Sequence, residues 1–471
     1  MGLIAHKGTS TIFPLYTPIC FKSLIFRLSF LPYLLFVNAP AQIKLNDPTI
    51  IRAWTMYDWA NSVYSLVITS AIFPVYYQAV TTRPDKSDIV LFFGYPVVNS
   101  VLYSYALSFS FLLIAPLLPL LSGMADYTGN KKSFMKFFVY LGGLSCMGMF
   151  FFTRSNVEWG IICSIFASIG YAGSLVFYDA FLPEIVTPDR FDSTSAKGYS
   201  MGYYGSVILL LINLLMIEYW QYLFFPDEGT AVRFAFLTVG LWWIGFAQIT
   251  FYKIPDNPFG QKPKGKVIFN GYIELQKVWK NLSAYANLKK YLIAYFFYNM
   301  GVQTVMYLAA TFGSKELKLK DAELILTVLI IQLVAAAGAH LFSRISLKAG
   351  NKSALMILIA IWIVICILAY LTTNKYQFFG VATLVGIVMG GIQSLSRATY
   401  SKLIPYNSLD HASYFSFYDV TFTLSIVFGT FFYGLIEQLT GSMRNSTLAL
   451  GAFFVIGMVL LSRVSITNEK N

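Results

Sequence analysis

The sequence predicts an all-α polytopic membrane protein with about twelve transmembrane helices in two pseudo-symmetric six-helix halves. The first observation is composition: 57% of the 471 residues are hydrophobic and 12% are charged, with a mean hydropathy of +0.62. An ordinary soluble domain carries about 25% charged residues. The second is the repetition of apolar runs of about 20 residues, the length of a helix that crosses a bilayer.

The apolar runs form two sets, separated by a polar stretch that is rich in lysine and proline. They fall at 53–80, 101–123, 134–152, 159–182, 199–219 and 233–252, and then at 290–312, 322–343, 354–372, 377–400, 414–438 and 446–463. We therefore predict an N-terminal bundle at 46–252, a cytoplasmic linker at 253–289 and a C-terminal bundle at 290–471. Within the linker, residues 272–279 have the helical periodicity of a segment that lies on the membrane surface.

Residues 1–45 form an N-terminal extension of a different character. Lys22 and Arg27 precede an apolar run at 28–37, which small residues follow. This is the pattern of a signal peptide, and a spurious upstream start is an equal alternative. The extension is left out of the functional argument.

The basic residues predict the orientation of the chain. The net charge is +12, but lysines and arginines are scattered through short loops, which excludes a nucleic-acid-binding face. Loops on the side of the N-terminus hold roughly twice as many of them as the opposite loops. Both termini are therefore expected to be cytoplasmic, in a multi-pass protein of the cell (inner or plasma) membrane. The four cysteines have neither metal-ligand nor disulfide spacing.

Charged residues in or beside the apolar segments are the first functional candidates, because an ionisable group in lipid is costly. They lie near the predicted cytoplasmic helix ends, and we interpret them, together with one amide, as a gate: Asp58, Asn61, Asp126, Lys131, Asp179, Arg397 and Asp419. Arg397 is expected to pair with Asp179 across the two halves. The alternative is that each charge sits in the headgroup region, stabilised by water and the helix dipole.

Uncharged polar residues near the middle of the spans are the second set. At about 1.5 Å per residue, several lie close to the midplane of the bilayer. We predict that they bind a small polar or zwitterionic solute: Gln303, Asn299, Gln332, Asn213, Tyr64 and Thr69. The alternative role is to hold helices together through hydrogen bonds. Asp58 lies roughly 33 Å of helix from Val80, so it is expected below this pocket and not in it.

The two halves contain a weak internal repeat, which is typical of transporters. Gly129-Asn130-Lys131 follows the second predicted helix, and Gly350-Asn351-Lys352 follows the eighth. The loop 123–132 resembles the signature of the major facilitator superfamily. Further stretches resemble the "unknown major facilitator" family, which includes the vacuolar amino-acid effluxers (autophagy-related permeases); these stretches are 57–62, 177–184, 301–305 and 390–397.

This resemblance implies a secondary transporter that works by alternating access, with a loop-clamp role for Asp126. Members often have an acid where Met300 stands, and a charged residue soon after the position of Asp419, where 420–424 has none. Proton coupling through those two positions is therefore not expected.

We predict a secondary active transporter, a permease that moves a small polar solute, with proton-coupled amino-acid efflux as the specific version. The alternatives are a membrane-embedded enzyme acting on a lipid-linked substrate and a non-transporting membrane sensor. There is no nucleophile motif and no phosphate-binding loop, so we predict no enzyme activity, no cofactor and no metal. The expected partners are the lipid bilayer, the solute and a proton, with no nucleic acid, and the protein is expected to be monomeric.

Overall fold

The computed structural model describes residues 44–82, 88–256, 267–405 and 408–466. The predicted extension 1–45 lies outside the described residues except for its last two, and so does part of the predicted linker. The described chain is built almost entirely of helices. Those of the N-terminal half are α1 (Pro48–Thr81), α2 (Asn99–Thr128), α3 (Lys131–Gly148), α4 (Val157–Ala180), α5 (Phe191–Glu218) and α6 (Glu228–Lys253).

An amphipathic helix, α7 (Val267–Ala284), precedes the C-terminal half. That half contains α8 (Ala286–Leu317), α9 (Asp321–Ala349), α10 (Asn351–Leu371), α11 (Lys375–Leu403), α12 (His411–Thr440) and α13 (Met443–Ser462). Each predicted apolar run is matched by one of these helices, and the predicted surface segment 272–279 lies within α7. The all-α polytopic fold is therefore confirmed.

Eleven helices of the described chain are long and apolar enough to cross a membrane. The one in the place of the predicted seventh span, α8, is not among them although it has 32 residues. Its apolar run is interrupted by Asn299, Gln303 and Thr304, all of which are buried in the protein. A helix whose polar groups point into the protein can remain in a bundle, because those groups do not meet lipid.

In helix α1 the winding changes in the middle of the span. The helix begins behind Asp47, whose carboxylate accepts a hydrogen bond from the backbone N–H of Thr49, a standard N-cap. The middle of the helix, Tyr64–Ala71, is π-helical. A π segment of this kind often marks a functional site, because it turns side chains away from the regular helical face. Thr69 lies in this segment.

A β-hairpin between α1 and α2 was not predicted from the sequence. Strands β1 (Ile89–Phe92) and β2 (Tyr95–Val98) pair antiparallel, with Ile89 opposite Val98. Gly94 in the turn has φ +84°, which glycine adopts without strain. We call this side of the molecule the hairpin face, and the opposite side, with α7 and the loop from α2 to α3, the linker face.

The two halves meet along helices that the internal repeat relates to one another. Helix α5 packs against α9 and α11, and α12 packs against α2 and α4. In the internal repeat, α2 corresponds to α9, and α5 corresponds to α12. The contact between α2 and α12 is therefore the counterpart of the contact between α9 and α5. The candidate site lies between the halves and is lined by α1, α2, α4 and α5 on one side and by α8, α9, α11 and α12 on the other.

Candidate functional site

A central cavity of about 180 Å³ lies between the two halves. All the predicted substrate-binding residues except Asn213 line it: Tyr64, Thr69, Asn299, Gln303 and Gln332. The N-terminal half contributes the first two and the C-terminal half the other three. The structure thus brings together residues that are up to 268 positions apart, from Tyr64 to Gln332.

Amide groups on α8 form the most polar wall of this cavity. The Nδ2 of Asn299 donates to Ser425 Oγ at 2.6 Å, and Gln303 Nε2 donates to Asn299 Oδ1 at 3.2 Å. Gln332 faces them from α9, and its buried Oε1 has no partner among the described residues. The Tyr64 hydroxyl forms a 2.8 Å hydrogen bond with Ser168 Oγ. The wall therefore offers oriented donors and acceptors to a polar solute.

Asn213 is placed elsewhere, and the expectation that it faces the cavity is corrected. Its side chain is fully buried, and its Oδ1 accepts a 2.9 Å hydrogen bond from Thr238 Oγ1 on α6. It therefore joins α5 to α6 within the N-terminal half. Depth along a helix was predictable from the sequence, but the direction of the side chain around the helix axis was not.

Arg397 on α11 forms a latch that joins the two halves. Its Nη1 donates to Asp179 Oδ1 at 2.9 Å, and its Nη2 lies 3.4 Å from Asp58 Oδ2. Its Nε donates to Ser195 Oγ on α5 at 3.0 Å. The Arg397 side chain is 2% exposed and both aspartate side chains are 7% exposed, so the ion pairs are screened little by water.

Aromatic rings of the N-terminal half enclose the guanidinium. Its Cζ lies 4.3 Å from the centroid of the Tyr199 ring, 4.8 Å from Trp54 and 5.4 Å from Tyr178. The Tyr178 hydroxyl donates to Asp58 Oδ2 at 2.6 Å. Cation–π contacts with Arg gain strength when water is excluded, so the rings add to the ion pairs of the latch.

A glycine on α5 makes room for the latch. A Cβ at Gly198 would collide with Asp58 Oδ2 and would lie 3.0 Å from Arg397 Nη2. Gly198 was not among the predicted site residues. A small residue that allows two charged side chains to approach a helix backbone gives no signal in sequence spacing.

The latch forms one wall of the central cavity, which corrects the expectation that Asp58 lies below it. Asp58, Asp179, Arg397 and Asp419 line the same cavity as Gln303. Asn61 also lines it, and its buried Nδ2 has no partner among the described residues. The residues predicted as a gate and those predicted as a pocket therefore line one cavity. Depth along α1 was the basis for separating them, but the cavity extends from Gln303 to the end of α1 that carries Asp58.

Asp126 and Lys131 belong to a second link between the halves, at the linker face. The carboxylate of Asp126 accepts hydrogen bonds from the backbone N–H groups of Ala412 at 3.1 Å and Ser413 at 2.7 Å. These are first-turn groups of α12, where the helix dipole favours a negative charge. Lys131 Nζ lies 3.1 Å from Asp126 Oδ1. The N-terminal half thus holds the start of a helix of the C-terminal half.

Two residues of this link, Glu184 and His411, were not among the predicted site residues. Glu184 pairs with Lys131, and its Oε1 lies 2.9 Å from His411 Nδ1. Both side chains are buried. Glu184 is the last residue of the stretch 177–184, which resembles the family, and this resemblance was the signal that could have identified it. His411 had none, because its partner is 227 residues away.

A third link was also missed, and it mirrors the second. Asp192, at the start of α5, accepts hydrogen bonds from Ser346 Oγ at 2.8 Å and Asn351 Nδ2 at 2.7 Å. Lys402 Nζ completes it at 2.8 Å from Asp192 Oδ2. Asn351 is in the repeated Gly-Asn-Lys sequence, which was the signal in the chain. In the second link the last turn of α2 supplies the acid, and here the start of α5 supplies it.

Helix α7 crosses the linker face and contacts both halves. Gly271 packs directly on Gly123 of α2. Lys277 Nζ lies 3.2 Å from Asp410 Oδ2, before α12, and 3.1 Å from Glu274 Oε2. Partial burial lowers the pKa of Lys277, but the two carboxylates outweigh it and raise the pKa above its ordinary value. Opening of the linker face would have to move α7 relative to one of the halves.

The cavity continues toward the hairpin face. A vestibule of about 750 Å³ shares Thr69, Tyr307 and Gln332 with the central cavity. Most of its other lining residues are apolar or hydroxylic, from α1, α2, α8, α9, α11 and α12. The structure therefore represents an arrangement that is closed at the linker face by the three links.

Within residues 44–82, 88–256, 267–405 and 408–466, no cluster of three or more His, Cys, Asp or Glu side chains could hold a metal ion. Two acids of the central cavity, Asp58 and Asp179, are oriented by Arg397, and Tyr178 also donates to Asp58.

Known proteins resemble the chain over most of its length. Residues 46–471 match the family model described as "Vacuole effluxer Atg22 like". An uncharacterised MFS-type transporter, YxiO of Bacillus subtilis, is 31% identical over 416 residues, covering 88% of this chain and 94% of the relative. Autophagy-related protein 22-2 of Neosartorya fischeri is 23% identical over 475 residues, covering 81% of this chain and 76% of the relative.

Solved structures share the fold. FucP, a major facilitator superfamily transporter in the outward conformation, has a TM-score of 0.66 at 11% identity, over 89% of this chain and 99% of that one. The human organic anion transporter MFSD10 has a TM-score of 0.67 at 13% identity, over 89% and 100%. The chain belongs to the Atg22-like vacuole effluxer family of the major facilitator superfamily, and it is a secondary transporter and not an enzyme.

Proposed function

We propose that this secondary transporter moves an amino acid or a similar small polar solute by alternating access, coupled to protons. The observation that carries the proposal is the central cavity, to which both halves contribute amide and hydroxyl groups. Small-molecule sites of this kind combine apolar walls with a few oriented polar groups. A volume of about 180 Å³ suits a solute of amino-acid size.

Alternating access requires that the solute reach the cavity from one face at a time. The three links at the linker face all join opposite halves, through Arg397, Asp126 and Asp192. Their separation would open the cavity to the linker face. We propose that they re-form each time the cavity returns to the hairpin face.

Several basic residues lie at the linker face, among them Lys131, Lys132, Lys348, Lys352 and Lys402. The excess of positive charge in cytoplasmic loops supports the assignment of this face to the cytoplasm. Both termini would then be cytoplasmic and the protein would act in the cell membrane.

Acidic groups of the cavity support proton coupling. Asp58, Asp179 and Asp419 line it, and Arg397 is the one lysine or arginine among the described lining residues. Carboxyl groups that exceed their cationic partners in a membrane interior are candidates for proton transfer. Met300, where relatives often have an acid, is buried and apolar, so the coupling is assigned to the cavity acids.

The test is transport of labelled amino acids by the purified chain in proteoliposomes, with and without a pH gradient. We expect flux that a pH gradient accelerates, and its loss in Gln303→Ala. Gln248→Ala is the matched control, because this amide lies on the exposed surface of α6 and bonds within its own half. Absence of flux for every amino acid would refute the substrate class. A flux that is the same with and without the pH gradient would refute proton coupling.

A further inference from the structure

Asp419 on α12 is the acid of the central cavity that the latch does not use. Its side chain lines the cavity and the residue is 9% exposed. Its buried Oδ2 has no hydrogen-bond partner among the described residues. Asp58 and Asp179, by contrast, both bind the Arg397 guanidinium. A buried carboxylate without a partner is costly, so it must take either a proton or a cation.

The groups that face Asp419 come from every neighbouring part of the cavity. Asp179 on α4 and Arg397 on α11 act on it electrostatically. Tyr199 on α5 and Tyr400 on α11 also interact with its charge. Helix α8 contributes Tyr295, Tyr298, Asn299 and Gln303 to the cavity wall, whereas α2 contributes only Leu107, Phe111 and Leu118 among its described residues. The described residues of α13 do not line the cavity.

These surroundings do not provide a free cation for Asp419. Arg397 donates to Asp179, to Asp58 and to the side chain and backbone oxygens of Ser195, so its hydrogen bonds are already directed elsewhere. The negative charge of Asp179 works against a second carboxylate nearby. In the described part of the cavity, therefore, the partner of an ionised Asp419 has to come with the solute.

Aromatic rings of the cavity wall, two of them one and three residues from Asp419 on α12, favour an ammonium group as that partner. Tyr295 and Tyr418 stack with ring centroids 4.4 Å apart and both line the cavity, as does Phe422. Ring faces attract cations, and desolvation increases the attraction. A carboxylate beside such rings is the usual chemistry of a site that recognises an organic amine.

We propose that Asp419 is the subsite for the ammonium group of the solute, and that a proton and this ammonium group compete for its carboxylate. The inference rests on the proposed function and names the part of the solute that is recognised. The solute class is a primary amine, of which amino acids are one kind. The carboxylate of an amino acid would then be bound by the tyrosine hydroxyls and amide N–H groups of the wall.

The exchange balances without a further reactant. An ammonium group bound to ionised Asp419 leaves as a proton from the other side adds to the carboxylate. One proton is therefore exchanged for one ammonium group, and no covalent bond other than the carboxyl O–H changes. Protonation removes the charge that held the amine, so the two ligands cannot occupy Asp419 together.

Binding by the purified full chain in detergent tests this proposal, with thermal stabilisation as the readout from pH 5.5 to 8.5. The probes are leucine, isoamylamine, which lacks the carboxylate, and isocaproate, which lacks the amine. We expect leucine and isoamylamine to bind. Their apparent Kd should rise by up to about tenfold per unit fall in pH, the limit for one competing proton. Isocaproate should not bind in competition with isoamylamine.

Variants assign the effect to Asp419. Asp419→Asn should weaken isoamylamine binding at least tenfold at pH 8.5 and abolish its pH dependence. Asp419→Glu keeps the carboxylate and should keep the pH dependence, which separates loss of recognition from loss of folding. Glu437→Gln is the matched control on the same helix, since Glu437 pairs with Lys315 near the hairpin face. It should bind like the unaltered chain.

The outcomes separate the inference from the proposed function. Three results would each overturn the inference, even if proteoliposomes transport another solute. They are no binding of either amine, amine binding that does not change with pH, and amine binding by Asp419→Asn that equals that of the unaltered chain. If the amines bind as expected and no solute crosses the membrane, the inference stands and the transport of amino acids is refuted.

Discussion

Replacement of Arg397 by glutamine tests the latch most severely. The change leaves Asp58 and Asp179 buried at the linker face without their cation. Removal of one partner of a buried ion pair costs about 3–5 kcal/mol. Opening of the linker face would hydrate both carboxylates, so this cost falls on the closed arrangement. At about 1.4 kcal/mol per factor of ten, the open population should rise by a factor of about 10² to 4 × 10³.

The assay is the reaction rate of a buried thiol. Ser394 is fully buried on α11, and its backbone carbonyl accepts a hydrogen bond from Ser195 Oγ of the other half. Ser394→Cys, in a chain without its native cysteines, should react with a polar maleimide only when the linker face opens. We expect Arg397→Gln to raise the rate at least tenfold.

The control is Arg444→Gln, which breaks a partly exposed ion pair with Glu316 within the C-terminal half, near the hairpin face. It should leave the rate of the Ser394→Cys thiol unchanged. An unchanged rate in Arg397→Gln would refute the latch. If the thiol reaction rate rose equally in both variants, the change would reflect a general loosening of the protein. The assignment of the latch to the linker face would then be refuted.

Gly198→Val should displace the Arg397 latch by steric overlap and raise the same thiol rate, whereas Gly434→Val, whose Cβ would meet nothing within 4 Å, should not. Asp126→Asn weakens a buried charge-assisted contact with the α12 backbone and should lower the melting temperature of the purified chain; a melting temperature equal to that of the unaltered protein would contradict the clamp. Lys277→Ala removes exposed ion pairs worth at most about 1 kcal/mol, so the thiol rate should change by less than about fivefold. A larger change would mean that α7 stabilises the closed linker face more than these contacts explain.

Hydropathy and charge were sufficient to predict the helices, because a bilayer dictates the length and composition of a span. The π-helical segment at Tyr64–Ala71 was not predicted because it does not interrupt the apolar run that contains it, and the hairpin at 89–98 was not predicted because it lies between two runs. The place of Asn213 was also missed. Side-chain direction depends on the rotation of each helix in the bundle, and hydropathy does not determine this rotation.

The charged residues were predictable as candidates but not as partners. Arg397 was expected near Asp179 through the repeat, and the structure places Asp58 beside it as well. Asp419 was grouped with the latch because it lies at a similar depth, yet it remains unpaired in the cavity. Asp192 and His411 were overlooked, because the sequence does not distinguish a buried charge at a helix start from a solvated one.

In the proposed transport cycle, the halves must separate at the linker face for the solute to pass. A cross-link between Asp192→Cys and Ser346→Cys tests it, because the native side chains lie 2.8 Å apart across the halves. Asn46→Cys with Thr187→Cys is the matched pair within the N-terminal half, where the native contact is 3.0 Å. In proteoliposomes, the cross-link between the halves should stop solute flux until a reductant is added, and the matched cross-link should not. Full flux through the chain that is cross-linked between its halves would contradict the account.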